Sequence, residues 1–276
     1  MADAARADAI AAFLAANGWG GAHHVLLADD ASFRRYERLY GRQDRAVLMD
    51  APPPHEDVQP FVAVSAILNH LGFSAPRVLA QDAGQGLLLL EDLGDDRMAG
   101  RVDAGGGDAE RFYALATDTL IALHDAWDAA DVLPAPAPPP YDTAKLVESE
   151  AMLLADWYAP AVGVRLDADA RGAWAAAWHT ALTPALALPH TLVLRDYFPD
   201  NLMYCPDRSG VRACGLLDFQ DAVIGPCAYD LMSLLQDARR DVPAQIEETM
   251  LRRYLDARPS LDPQALRTGY TVLAAQ

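Results

Sequence analysis

The sequence predicts an α+β fold in two lobes, a small antiparallel sheet followed by a larger, mostly helical body. Three observations predict it. Residues 23 to 50 alternate with the period of two expected of strands, residues 86 to 92 form the solid apolar run GLLLLED, and beyond EDLGDD at 91 to 96 the apolar spacing turns helical. A β-rich first third before a helical remainder divides the chain into an N-terminal lobe of residues 1–94 and a C-terminal lobe of residues 95–276. At 276 residues, 52% of them hydrophobic, the chain buries a sizeable core.

The opening MADAARADAIAAFLAANGWG carries Asp3 and Asp8 and lacks the basic head and unbroken apolar centre of a secretion signal, so it reads as an amphipathic helix ending at Asn17-Gly18. HHVLLA, SFRRYERLY and RAVLMD, separated by the turn-rich DDAS and GRQD, predict an antiparallel meander. Asp57 suits a cap and Pro60 a first turn; Phe61, Val64, Ile67, Leu68 and Leu71 then recur at helical spacing until Gly72. RVLAQD and GLLLLED add two strands, the second expected to be covered on both faces. Helices are expected at about 107–130, 142–158, 167–184, 228–240, 243–257 and 262–275, interrupted only by the short strands LVLRD and RACGLLDF. The proline-rich LPAPAPPPYD at 133 to 142 is expected to be a stiff surface connection within the second lobe.

Composition narrows the function. Acidic residues outnumber basic ones by 39 to 22, and with no Lys/Arg run to offset that field, nucleic acid is not an expected partner. No apolar stretch approaches the roughly 18 residues of a membrane span. Three cysteines without a C-x-x-C fit a reducing cytoplasm, and a cytoplasmic monomer is expected. The seven histidines lack H-E-x-x-H spacing, and the adjacent His23 and His24 read as surface or packing residues.

Chemistry gathers in LVLRDYFPDNLMY, residues 192 to 204. Asp196 stands five residues before Asn201, a spacing that 31 aspartates and three asparagines produce by chance roughly one time in three. By itself it is no more than an Asx-type turn at a strand end. The second element, GLLDFQDAVIGP at 215 to 226, delivers Asp218 and Phe219 from a short apolar strand. Phosphoryl transfer wants this set: one carboxylate to take the proton of the attacking hydroxyl, and an amide oxygen with a second carboxylate to hold magnesium. The order Asp, Asn five on, then strand and Asp-Phe is that of a kinase catalytic loop and metal loop.

LRDYFPDN with LLDFQD, the later AYDL at 228 to 231 and the hinge-like LLLLEDLGD at 87 to 95 resemble, in the right order, the aminoglycoside phosphotransferase group of small-molecule kinases. That group has a bilobal protein-kinase-like fold. DASFRRY, MDAPPP, RDYFPDNLM and GLLDFQDAVIGP are similar to its branch that phosphorylates the anomeric hydroxyl of N-acetylmuramate and N-acetylglucosamine in peptidoglycan recycling. The resemblance implies that Asp196 is the catalytic base, that Asn201 and Asp218 hold Mg2+, and that backbone near Glu91 and Leu93 meets the adenine of ATP. It also implies that Asp230 braces the catalytic loop. Arg195 is read equally as a scaffold contact or a phosphate ligand, and Gln220 and Asp221 as facing the sugar or capping their loop.

One departure stands out. Kinases carry a phosphate-gripping lysine on the third strand, but AVLMD offers Met49 there and the single lysine is Lys145. Arg34 and Arg35 are the candidates to supply the missing charge, and strand alternation sends them to opposite faces. The implied acceptor is a small sugar; an aminoglycoside or choline-type kinase, and a kinase-shaped binding protein without activity, remain alternatives. Helical spacing runs to Gln276 with no stop signal, whereas the related sugar kinases continue further, so an incomplete chain is one reading.

Overall fold

The structure, a computed structural model, describes residues 2–29, 33–130 and 134–276. Residues 30–32 of the expected DDAS turn and of the DASFRRY stretch, and Leu133 of the proline-rich stretch, lie outside the described residues.

Helix α1 (Ala2–Ala16) ends as expected, with Asn17 Nδ2 donating to the Phe13 carbonyl and Gly18 at φ 83°. Strands β1 (His23–Asp29), β2 (Arg35–Tyr40) and β3 (Arg45–Asp50) form the meander. After helix α2 (Gln59–His70), β4 (Val78–Asp82) and β5 (Leu87–Glu91) complete a five-stranded antiparallel sheet in the order β1-β2-β3-β5-β4. The β4–β5 turn requires glycine at 86: its φ is 64°, and a Cβ there would stand 1.9 Å from the Ala51 carbonyl oxygen.

The apolar run of β5 is covered on both faces. Leu87 and Leu89 join Leu39, Ala46 and Leu48 against Phe13 and Leu14 of α1. Leu88 and Leu90 turn the other way, with Met49, into the main core beside Phe61, Val64, Ile67 and Leu68 of α2. At roughly 1.5–3 kcal/mol per buried aliphatic side chain, this two-sided packing is what fixes β5 as an interior strand, between β3 and β4.

Beyond the sheet come α3 (Met98–Asp103) and the long α4 (Gly106–Ala129). The helix expected over 142–158 is α5 (Thr143–Leu146) with two π-helical turns, Val147–Ala151 and Leu154–Tyr158, and the short α6 (Ala159–Ala161). α7 (Ala168–Ala181) and α8 (Thr183–Leu186) follow, then β6 (His190–Val193), β7 (Leu202–Tyr204), β8 (Cys214–Leu216), β9 (Val223–Pro226), α9 (Tyr229–Leu235), α10 (Ala244–Ala257) and α11 (Pro263–Ala275).

α3 is not among the expected helices, and further features differ from expectation. Besides the two strands read from the sequence, β7 and β9 form, each pairing with one of them: β6 with β9, and β7 with β8. The helix expected over 228–240 stops at Leu235, because the Asp237 carboxylate accepts the Arg239 N–H at 3.0 Å and turns the chain. The proline-rich connection leaves the surface at its end: Pro140 bridges to Ile224, the Tyr141 N–H donates to the Ile224 carbonyl, and Tyr141 is fully buried. No helix among the described residues is long and apolar enough to cross a membrane.

Candidate active site

The site is built on the two small β pairs. β6 delivers Leu194, then Arg195 at φ 72°, then Asp196. Arg195 and Asp218 are the two non-glycine residues with positive φ among the described residues, a conformation that costs about 1–3 kcal/mol each and persists only where neighbours enforce it. For Arg195 the enforcer is Asp230, fully buried at the start of α9, whose carboxylate accepts the N–H of Leu194 at 2.7 Å and of Arg195 at 2.9 Å. The expected brace is thus present. Its burial pushes the Asp230 carboxyl up to about 7, against the two N–H bonds that pull the other way.

The loop then folds back on itself. The Phe198 N–H reaches the Asp196 carbonyl at 3.2 Å, and Asn201, ending the 3-10 turn Pro199–Asn201, donates its side-chain amide to the same oxygen at 3.1 Å. Tyr197, buried, anchors the loop from below by donating to the Ala116 carbonyl of α4. The second loop joins here: the Leu217 N–H donates to the Asn201 carbonyl at 3.0 Å, and Asn201 Nδ2 lies 3.3 Å from Asp218 Oδ2. One amide therefore ties the backbone of Asp196 to the carboxylate of Asp218, and the three predicted residues share one site.

Phe219, fully buried, packs its ring 4.9 Å from that of Phe61 on α2, which couples the second loop to the helix behind the sheet. Gln220 donates to Asp218 Oδ1 at 2.8 Å, so it caps its own loop. Burial raises the Asp196 carboxyl above the usual carboxylate range, and the negative charges of Asp218 and Asp221 act in the same direction, while Arg195 and Arg239 oppose them.

The remaining predicted residues separate. The Arg34 side chain is 13% exposed, its Nε 3.3 Å from the Glu56 carboxylate. Burial opposes its charge, but Tyr36, Glu56 and Asp218 outweigh that and favour the guanidinium. Arg35 is not brought to the site: its side chain is 56% exposed and pairs along β2 with Glu37 at 3.1 Å. Met49 is buried in the core and supplies no charge. Glu91 closes β5: its N–H donates to the Arg77 carbonyl, and its carboxylate accepts from Arg208 and Arg77. Leu93 packs so closely on β8 that a Cβ at Gly215 would lie 2.9 Å from its Cδ1.

Two participants escaped the sequence. Glu56 lies in a proline-rich turn with no periodic signal. Glu150 sits in what reads as an ordinary helix, yet its π-helical turn presents it to Arg195 at 3.4 Å and to the Tyr229 hydroxyl, which donates to it at 3.0 Å. With Tyr141 beneath its guanidinium at 5.4 Å, Arg195 is held by scaffold groups.

For a divalent cation the donor chemistry fits. Asn201, whose amide nitrogen donates to the Asp196 carbonyl and lies 3.3 Å from Asp218 Oδ2, and Asp218 itself bring two hard-oxygen side chains to one place. No group of three or more His, Cys, Asp or Glu among the described residues could hold a metal, so further ligands would come from phosphate oxygens and water, as magnesium prefers.

Residues 23–264 match the model of the phosphotransferase enzyme family, known as APH. The chain belongs to that family. Among its curated relatives, the N-acetylmuramate/N-acetylglucosamine kinase of Caulobacter vibrioides is 38% identical to this phosphotransferase over 98% of the chain and 82% of the relative. The enzyme of the same name from Pseudomonas aeruginosa is 41% identical, over 87% of this chain and 68% of its own. Solved structures share the fold: an aminoglycoside-3'-phosphotransferase of type VIII has a TM-score of 0.60 at 18% identity, covering 95% of this chain and 97% of that one. ADP-bound APH(2'')-Ib has a TM-score of 0.62 at 15% identity, covering 90% and 81%. The fold is therefore bilobal and protein-kinase-like, as the motifs implied.

Proposed function

We propose that the chain is an ATP-dependent kinase that phosphorylates the anomeric hydroxyl of N-acetylmuramate, N-acetylglucosamine or both, in cell-wall recycling. The observation that carries the reading is the Asn201 amide, which bridges Asp196 and Asp218. The names of the curated relatives support the sugar.

Asp196 orients the acceptor hydroxyl and takes its proton as the bond to phosphorus forms. Burial raises its basicity toward working pH, which favours proton transfer. Asn201 and Asp218 are the residues to hold Mg2+, which when bound neutralises charge on the nucleotide phosphates. Arg34, steadied by Glu56, takes the place of the absent strand lysine, a role for which Arg35 is less suited by its exposure. The Glu91–Leu93 backbone meets the adenine; because the Glu91 N–H is already bonded to Arg77, contact from Glu91 runs through its carbonyl. Residues 1–94 and 95–276 are the two lobes that enclose the nucleotide, in a monomer.

A panel of N-acetylmuramate, N-acetylglucosamine, glucose, choline and kanamycin, with ADP release followed and the phosphate position read by 31P NMR, tests this. An anomeric phosphate on the amino sugars is expected. Turnover of kanamycin or choline alone would replace the reading, since the net charge of −17 also suits a cationic acceptor.

A further inference from the structure

An acidic sugar poses an electrostatic problem for this protein. N-acetylmuramate carries a carboxylate on its lactyl ether, N-acetylglucosamine does not, and a chain of net charge −17 repels that carboxylate unless a cation waits beside the acceptor position. We propose that Arg239, stacked on Phe198 beside the catalytic loop, receives the carboxylate of an acidic amino sugar and sets the preference for it over the neutral one. The inference rests on the amino-sugar reading above and adds the residue that tells the two acceptors apart.

Three guanidinium groups surround the loop that carries Asp196. Arg195 is committed to Glu150 and to the Tyr141 face. Arg240 is surrounded by carboxylates: Asp200 at 2.6 Å, Asp237 at 3.0 Å and Asp103 at 3.2 Å, with only 13% of its side chain exposed. Arg239 differs. Its Cζ lies 3.8 Å from the centroid of Phe198, two residues past Asp196, and 55% of its side chain remains in solvent.

Among the described residues its ion pair is to Asp237 at 3.3 Å, a carboxylate with no exposed side-chain surface that is shared with Arg240. A guanidinium has five donors in a fixed fork, so that anchor fixes the plane while an edge stays open for a bidentate carboxylate. The close seat of Cζ over the Phe198 ring, 3.8 Å from its centroid, pre-orders the fork, which lowers the entropy lost on binding. The positive charge of Arg239 also reaches the Asp196 carboxylate, in keeping with its place beside the reacting centre. Finally, Arg239 borders a cavity of about 550 Å³ with Asp237, Arg240 and Glu247. Glu247 is already engaged by Gln236 at 2.6 Å and by the Tyr270 hydroxyl at 2.8 Å.

The test is the ratio of kcat/KM for N-acetylmuramate to that for N-acetylglucosamine, measured at saturating ATP and Mg2+ for the wild type, Arg239→Gln and Arg239→Lys. The ratio cancels any effect of the substitution on folding or on Asp196, which both sugars feel alike. Loss of a charge-assisted carboxylate contact is expected to lower it about tenfold or more in Arg239→Gln, mostly through KM, and Arg239→Lys to recover part of it. A ratio within twofold of the wild type in Arg239→Gln would overturn the proposal and leave the kinase reading intact. A wild type that turns over neither sugar would overturn both.

Discussion

The two loops on the β6–β9 and β7–β8 pairs and the five-stranded sheet that faces them solve the problem of placing charge in opposite ways. The loops are held by buried neighbours: Asp230 accepts two backbone N–H groups, Tyr197 reaches α4, and Phe219 packs on Phe61. In the sheet the strand position that would carry a lysine is an apolar core residue, Met49, and the cation proposed to replace it is Arg34, at the entrance to β2 and paired with Glu56 from the turn before α2. The loop side is therefore braced by buried contacts, whereas Arg34, the proposed phosphate ligand, is paired with Glu56 between two connecting segments. Removing a brace should damage the first region severely, and the second should be sensitive to one arginine and indifferent to its neighbour.

The largest of these effects is expected for Asp230→Ala. It leaves the Leu194 and Arg195 N–H groups buried without acceptors, at about 1–3 kcal/mol each. A drop in stability of about 2–5 kcal/mol by urea unfolding, with kcat lowered on the order of a hundredfold, is the expected outcome; a variant with wild-type kcat would show that Arg195 and Asp196 need no brace. Next comes the paired test on the sheet. Arg34→Gln should raise the KM for ATP about tenfold, and Arg35→Gln should leave it within twofold. Equal effects would mean that the two arginines act together and that the exposure of Arg35 misleads.

The smallest effect concerns acid. His124 on α4 is fully buried, its Nδ1 2.7 Å from the Tyr254 hydroxyl of α10, and burial lowers its pKa to about 3. Below an unfolded value of about 6.5 the unfolded chain takes a proton that the native chain refuses, so the contribution of His124 to native stability falls as pH drops, while the raised Asp230 carboxyl contributes in the opposite sense. The slope approaches about 1.4 kcal/mol per pH unit well below 6.5 and ends near the folded value. Hydrogen exchange between pH 6.5 and 5 should show α4 and α10 losing protection while the five-stranded sheet keeps it; uniform loss would erase the contrast between the two regions.

The same contrast explains what the sequence disclosed. Strands with a full apolar pattern, such as Leu87–Glu91, were legible because burial on two faces leaves four leucines in a row. Asp196, Asn201 and Asp218 were legible because each sits at a fixed step from a strand end, where the backbone itself imposes the spacing. β7 and β9 were not, since three or four residues hold too few periods of alternation, and β9 contains both Gly225 and Pro226. Glu56, Glu150 and Arg239 carry no local signal at all. Their partners lie 22, 45 and 41 positions away, at Arg34, Arg195 and Phe198, and only the fold brings them together.

The most direct test of the central claim, that one amide-tied loop pair performs the transfer, is Asp196→Ala assayed in parallel for turnover and for nucleotide binding. With N-acetylmuramate and ATP-Mg2+, kcat should fall by about a thousandfold or more, while the rise in melting temperature on adding ATP-Mg2+ stays close to that of the wild type. Retention of more than a tenth of wild-type kcat, with binding intact, would contradict the account.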